Sequence, residues 1–284
     1  MVKTLFLLAM LPSLCVAETS LWQVSKNGNT LYLGGTIHVL KKDDYPLPAE
    51  FTAAFNKADK LVFETDIEKT LTPEFGQKMM AMFTYPPGHS AKDILNAETL
   101  KQLEKHMTER NLPLDSMLQY KPAMISIVLS VIELRRMGMT EEGVDQYFDD
   151  KAKQAGKSVG ELETIDAQLN YLLNMGKGHE NEMIMSNLKD IHQLSALMTV
   201  IRSAWLKGDE KAIADATIGD MSRDYPALYQ SLLVQRNNNW MPQIERMLSD
   251  KQVEMVLVGT LHLVGKDGLL HQLRQKGYTV KHFH

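Results

Sequence analysis

The sequence predicts an α/β (α+β) protein: a mixed β-sheet core built from both chain ends, with a large helical region inserted over about residues 70–250. Three observations predict it. Strand-like apolar runs stand at 30–36, 61–63 and 253–260, two near one end and one near the other. Between them, apolar residues recur at helical spacing in segment after segment. One motif occurs twice, once near each end. Leu31-Tyr32-Leu33-Gly34-Gly35-Thr36-Ile37-His38-Val39-Leu40 is followed by Lys42-Asp43, and Met255-Val256-Leu257-Val258-Gly259-Thr260-Leu261-His262-Leu263-Val264 by Lys266-Asp267. Each copy is an apolar run that meets a glycine and ends on a histidine, the pattern of a buried strand delivering an imidazole at its C-terminal edge. Such strands side by side would put two imidazoles in one place.

The elements follow in order. Lys26-Asn27-Gly28-Asn29 separates runs at 21–25 and 30–36, and Asn-Gly between two such runs is a strong hairpin signal. A polar loop with Pro46 and Pro48 leads to a helix over 49–58, with Phe51, Ala54, Phe55 and Ala58 on one stripe. Leu61-Val62-Phe63 is a short buried strand ending in Glu64-Thr65-Asp66, which completes a strand–helix–strand crossover. Helical spacing recurs at 96–110, 123–137, 143–155, 166–175, 180–207, 209–217 and 223–249. The methionines dense in this region read as core filler. Residues 156–164 break the pattern as a short strand and loop, after which Asp166 is expected to cap a helix. The chain closes with the second motif, a Gly265–Gly268 loop, a helix over 269–276 capped by Gly277, and a strand over 278–283.

Composition narrows the function classes. The 284 residues are 44% apolar and 23% charged, those of a folded domain, and a net charge of −4 without a basic block argues against nucleic acid as a partner. Lys3, the apolar run 5–11, Pro12 and Cys15-Val16-Ala17 form a secretory signal pattern over residues 1–17, with cleavage expected after Ala17. Leu14 stands where a lipoprotein signal wants a small residue. The mature chain, 18–284, is then one periplasmic or secreted domain without Cys15, the only cysteine, so thiol catalysis and disulfides are excluded. No transmembrane segment is expected: the run 125–132 is short and soon meets Glu133, Arg135 and Arg136.

His38 and His262 lead the candidate site residues, because neutral imidazole is the commonest protein metal ligand and open catalytic sites combine it with carboxylate. Glu64 ends a buried strand, where a carboxylate needs a cation, a donor or a metal. Glu163 ends the stretch 159–164. Asp66 and Glu161 lie two residues from these glutamates and are weaker candidates. Arg236, in Gln235-Arg236-Asn237-Asn238-Asn239-Trp240, could bring a guanidinium and helix-end N–H groups to an anionic centre. His106, His179, His192 and His271 are expected on exposed helix faces, and His282 and His284 could form a weak metal clip. His-Glu-x-x-His, Gly-x-Ser-x-Gly and a Gly-rich phosphate loop are all absent from the sequence.

Together, Leu21-Trp22, the two Gly-Thr-x-His motifs, Glu64-Thr65-Asp66, Gly143-Val144-Asp145, Leu162-Glu163-Thr164 and Arg236-Asn237 resemble the TraB/GumN family, relatives of the Tiki metalloproteases, over essentially the whole mature chain. The resemblance implies a sheet core with helical additions. In the Tiki relatives it also implies a divalent-metal-dependent peptidase, whose ligands carry over to His38, Glu64 and His262. Gln235 departs from the Glu that often precedes Arg-Asn in bacterial members. The expected function is thus an exported hydrolase of peptide or small-molecule substrates. It would be a metal-dependent peptidase first of all, with Mn, Co or Zn held by the two histidines and Glu64, Glu163 as general base and Arg236 on the oxyanion or the substrate carboxylate. Two alternatives stand beside it. One is a binding protein that sequesters a peptide, signal molecule or haem without turnover. The other is metal-free catalysis with one histidine as base toward an ester or lactone and Glu64 orienting it.

Overall fold

The hairpin sets the register of the sheet. In a computed structural model describing residues 19–284, Asn27 (φ 53°) and Gly28 (φ 78°) both take the left-handed conformation that a two-residue hairpin turn demands. Lys26 thereby faces Asn29, and β1 (Leu21–Lys26) pairs antiparallel with β2 (Asn29–Thr36) along its whole length. The signal-like segment and Cys15 lie outside the described residues.

The remaining strands are β3 (Val39–Leu40), β4 (Lys60–Phe63), β5 (Glu141–Glu142), β6 (Ser158–Glu161), β7 (Glu254–Gly259) and β8 (Thr279–His282). Six of the eight form one mixed sheet in the order β6-β4-β7-β2-β1-β8, while β3 and β5 pair separately. The two motif strands are neighbours: β2 runs parallel to β7, with Thr36 beside Gly259. β4 pairs parallel with both β7 and β6. Four parallel strands from distant parts of the chain therefore end at one edge of the sheet.

Alternation along these strands builds a core on each face. Val62, Val256 and Val258 pack on one side with Trp240, Met241 and Ile244. Leu61, Phe63, Met255 and Leu257 pack on the other with Phe51, Phe55 and Phe148. The helices are α1 (Ala49–Lys57), α2 (Ile67–Thr70), α3 (Pro73–Phe83), α4 (Ala97–Glu109), α5 (Leu114–Leu118), α6 (Pro122–Arg136) and α7 (Val144–Ala155). They continue with α8 (Ile165–Leu173), α9 (Glu180–Ile191), α10 (Leu194–Trp205), α11 (Glu210–Asp224), α12 (Pro226–Tyr229), α13 (Gln235–Met247) and α14 (Leu269–Gln275). The inserted helices also have cores of their own, one under α4, α6 and α9 and one joining α3, α6 and α8.

Several local expectations need correcting. The segment 180–207 is two helices broken at His192-Gln193, and α2, α3 and α5 fall where the sequence pattern predicts none. Thr164, not Asp166, caps α8, its hydroxyl accepting from the Ala167 N–H at 3.2 Å. His106 is buried rather than exposed. His282 packs its ring 5.0 Å from Trp22 rather than forming a clip with His284. None of the described helices is long and apolar enough to cross a membrane.

Leu257 lies in the middle of the sheet with no exposed surface. Leu257→Ala should lower unfolding stability by about 2–5 kcal/mol, the usual cost of such a cavity, as read from the midpoint of urea denaturation.

Candidate active site

Each parallel strand delivers one candidate residue just beyond its C-terminal end. His38 follows β2 by two residues, Glu64 follows β4 directly, Glu163 follows β6 by two residues, and His262 follows β7 in a short 3-10 turn. This is the edge at which open parallel sheets bind their ligands. The motifs also brace each other. Thr260 donates from its hydroxyl to the Thr36 carbonyl at 2.9 Å, and a Cβ on Gly35 would stand 2.8 Å from that hydroxyl oxygen, so only glycine permits the approach. His38 Nε2 and His262 Cδ2 lie 3.7 and 3.8 Å from one point, the place a Cβ on Gly259 would occupy, and so are no more than 7.5 Å apart. The two histidines share one site.

Arg236 occupies its centre. The preceding segment, Gln230–Val234, is a π turn, and α13 continues from it without a free N-terminus. The helix-end N–H groups expected beside Arg236 are therefore not available to an anion. The guanidinium itself is fully engaged. Nη2 donates to Glu64 Oε2 at 2.5 Å and Glu163 Oε1 at 2.6 Å. Nε donates to both Glu163 oxygens at 3.1 Å. Nη1 donates to His262 Nε2 at 3.0 Å and the Leu232 carbonyl at 3.4 Å. An arginine has five N–H donors, and all five have partners.

The network assigns the tautomer of His262. Asn237 donates from Nδ2 to the His262 and Asp267 carbonyls at 3.1 and 2.9 Å, which turns its Oδ1 toward His262 Nδ1 at 2.7 Å. Nδ1 therefore carries the proton, and the Nε2 lone pair accepts from Arg236. Burial, with the Arg236 charge adding to it, lowers the His262 pKa to about 3, so this ring is neutral. Burial alone would push Glu64 up. In the acid range where Glu64 titrates, the charges of protonated His262, Arg236 and His38 outweigh it, together with the Gly259 N–H donating to Oε1 at 2.7 Å, and hold the carboxyl at about 2. Burial raises Glu163 despite its bonds to Arg236 and from the Trp240 indole at 3.2 Å. Burial would lower Arg236, but Glu64 and Glu163 more than offset it and raise its pKa.

His38 is placed differently. Its side chain is 68% exposed and its Nδ1 lies 2.8 Å from Asp145 Oδ2. Asp145 sits in the first turn of α7, and a Cβ on Gly143, just before that helix, would overlap the His38 backbone. The Gly-Val-Asp stretch thus packs directly on His38, with the Val144 N–H donating to the Ile37 carbonyl at 3.1 Å. The Asp145 charge raises the His38 pKa to about 9, and solvent at this exposed ring screens part of that attraction. With Nδ1–H directed at Asp145, Nε2 has no partner among the described residues, and the ring lines a cavity of about 370 Å³. Polar His38, Glu64, Thr65, Thr70, Asp145, Gln168, Tyr171 and Arg236 line it together with apolar Ile67, Leu172 and Leu232.

The structure brings together His38, Glu64, Glu163, Arg236 and His262, but not in the roles expected for all of them. Asp66 caps α2 and pairs with Lys69, and Glu161 is exposed. Glu163 does not line the cavity and faces Arg236 and Trp240 instead, a poor position for a general base. Arg236 has no donor left for an oxyanion. As arranged, the donors also do not fit an ion held by His38, Glu64 and His262, because the guanidinium already holds the His262 lone pair and one Glu64 oxygen. Among the described residues, no cluster of three or more His, Cys, Asp or Glu side chains is set to hold a metal ion. Residue pattern alone assigns no role to Asp145, Asn237 or Thr65. Asp145 lies 107 residues from its partner, and its only trace in the sequence is the Gly-Val-Asp stretch.

Fold and site together define a class: mixed α/β proteins that gather two Gly-Thr-x-His histidines, two glutamates and an arginine at one sheet edge. The model of the TraB/PrgY/gumN family matches residues 20–282, and the chain belongs to that family. It is similar to the protein YbaP of Escherichia coli (strain K12), itself described as uncharacterized, with 28% identity over 246 residues covering 86% of this chain and 87% of the relative. The YbaP of Shigella flexneri matches to the same extent, 28% over 246 residues. No solved structure matches the chain.

The shifts determine how stability depends on pH. Glu64 moves from 4.5 to about 2 on folding, so its contribution is present above pH 4.5 and is lost as pH falls toward 2. His262 moves from 6.5 to about 3. The unfolded chain takes up this proton first, and stability drops as pH falls below 6.5. His38 moves from 6.5 to about 9, so its smaller, screened contribution is lost as pH rises from 6.5 toward 9. Guanidinium denaturation across this range should show a maximum near pH 6.5 and a steeper fall on the acid side. Arg236→Met should cost about 3–5 kcal/mol at neutral pH by leaving two carboxylates unpaired, and the loss should shrink as they protonate in acid.

Proposed function

We propose that this TraB/PrgY/gumN family protein is an exported hydrolase in which His38, oriented by Asp145, is the general base. One observation carries the reading: Nδ1 of His38 is held at 2.8 Å by a largely buried carboxylate, while Nε2 has no partner among the described residues and the ring lines a cavity beside Glu64. That is the arrangement of a base fixed in one tautomer by a third group. In its neutral form the ring accepts a proton from water through Nε2. The hydroxide equivalent adds to the substrate carbonyl, and the imidazolium returns the proton to the leaving nitrogen or oxygen. Arg236 acts behind this step, holding Glu64 and Glu163 in place. The apolar part of the lining, Ile67, Leu172 and Leu232, suits a peptide or a small ester or amide with an apolar side group. Export rests on the N-terminal signal pattern, which gives a mature chain beginning at Glu18. The metallopeptidase implied by the resemblance would require Arg236 to leave His262 and Glu64, whereas the base proposed here requires no such rearrangement.

The test uses purified protein and a library of fluorogenic peptides and esters. His38→Ala should fold normally and lose about 10²–10⁴-fold in kcat/KM, the usual contribution of a positioned base. For the wild type, kcat/KM should rise with pH along a limb approaching pH 9, and Asp145→Asn should move that limb toward 6.5. Activity that is abolished by chelators, or that survives intact in His38→Ala, would sink the proposal. N-terminal sequencing of the periplasmic and extracellular fractions should find the chain starting at Glu18.

A further inference from the structure

The charged lining of the cavity holds unengaged carboxylate acceptors but no free arginine donor. Arg236 lines the cavity, but all five of its N–H groups are engaged by Glu64, Glu163, His262 and Leu232. The Gly259 N–H is held by Glu64. Several acceptors are left unengaged beside the His38 Nε2 and the uncharged donors of Gln168 and Tyr171. Asp145 bonds His38 through Oδ2, and its Oδ1 has no partner among the described residues. Thr65 is 3% exposed and its hydroxyl is buried without a partner, an uncommon condition for a polar atom beside a cavity. The lining residues Gln168 and Tyr171 are polar but uncharged. The charge balance has the same sign. Glu64, Glu163 and Asp145 face Arg236 and His38, so even a protonated His38 leaves three carboxylates against two cations. The same cavity is lined by apolar Ile67, Leu172 and Leu232.

We infer that the cavity recognises a primary ammonium group carried on an apolar body, so that the hydrolase proposed above acts beside a free amino group, as at a peptide N-terminus. Three N–H donors on one positively charged nitrogen meet Asp145 Oδ1, the Thr65 hydroxyl oxygen and the free lone pair of Glu64 Oε1. The ligand's charge offsets the excess of carboxylate, and its apolar portion lies along Ile67, Leu172 and Leu232. An anionic ligand would find no free donor on the arginine that, by its type alone, invites one. The inference rests on the hydrolase reading for its consequence to catalysis, though not for the binding itself.

The test therefore uses probes with no bond to hydrolyse. Calorimetry with EDTA present would compare 3-methylbutylamine with 3-methyl-1-butanol, which share shape but not charge, on the full mature protein. The amine should bind at least about tenfold more tightly, the size of a charge-assisted hydrogen bond or more. Asp145→Asn and Thr65→Val, with unchanged circular dichroism, should each weaken the amine about tenfold and leave the alcohol unaffected. Equal affinity for amine and alcohol overturns the inference, as does amine binding indifferent to both substitutions. Omitting EDTA and titrating manganese chloride gives the last arm: competitive displacement of the amine would make the acceptors a metal site and overturn it as well. In the turnover assay, N-acetylation of a cleaved peptide should reduce kcat/KM at least about tenfold. A protein that binds the amine but cleaves nothing refutes the hydrolase reading alone. One that cleaves acetylated and free peptides equally refutes the amine inference alone.

Discussion

A guanidinium buried at the end of a β-sheet cannot stand without partners, because the cost of leaving an ionised group unpaired out of water is comparable to the margin of stability of a whole domain. Arg236, 7% exposed, meets that requirement with groups from four places in the chain: Glu64 after β4, Glu163 after β6, His262 after β7, and the Leu232 carbonyl in the π turn. The ends of three parallel strands are thereby tied to α13. The same bonds decide the chemistry. They fix both glutamates, hold His262 neutral, and leave no arginine donor facing the cavity. A residue that by type suggests anion binding becomes the internal cation around which the acidic groups are arranged.

The two copies of the motif diverge because their surroundings differ. His262 lies under Trp240, with ring centroids 4.4 Å apart, and both its nitrogens are engaged by protein. His38 stands at the cavity with one nitrogen on Asp145 and the other open. One environment pushes the imidazole pKa down to about 3 and the other up to about 9. Pairs of titratable groups driven apart in this way mark where acid–base roles are divided. The repeat thus contributes one structural histidine and one that solvent and ligand can reach.

The helical insertion completes the site from above. α2 and α8 bring Ile67, Gln168, Tyr171 and Leu172 to the cavity lining, and the π turn before α13 brings Leu232. A π turn inserts an extra residue into a helix and so rotates the side chains beyond it. Here the rotated residue is Arg236, which reaches Glu64 and His262 across the sheet edge. α7 adds Asp145 and α13 adds Arg236 to the lining, while α3, α4, α6 and α9 pack on clusters of their own and add no charged group to it.

Much of this was legible in the residues themselves. The hairpin at Asn27-Gly28, the strands at 31–36 and 255–259 and the crossover into Glu64 follow from local turn chemistry and period-two burial, which act between near neighbours. The repeated motif also identified which histidines to watch, and the apolar runs before them identified the strand ends. Other features depended on contacts that no local pattern encodes. Helices α2, α3 and α5 are short or weakly patterned, and their place is set by the cores they pack on. The His38–Asp145 pair spans 107 residues and the Arg236–Glu64 pair 172, distances over which residue type carries no information about partner. The sequence by itself determined which groups could do chemistry and that they end parallel strands. Only the tertiary structure decided which of them face one another, and hence that Arg236 is engaged, His262 is locked, and His38 is free. The physical reason is that protonation state and hydrogen-bond capacity belong to a group in its surroundings, and those surroundings exist only once the chain has folded.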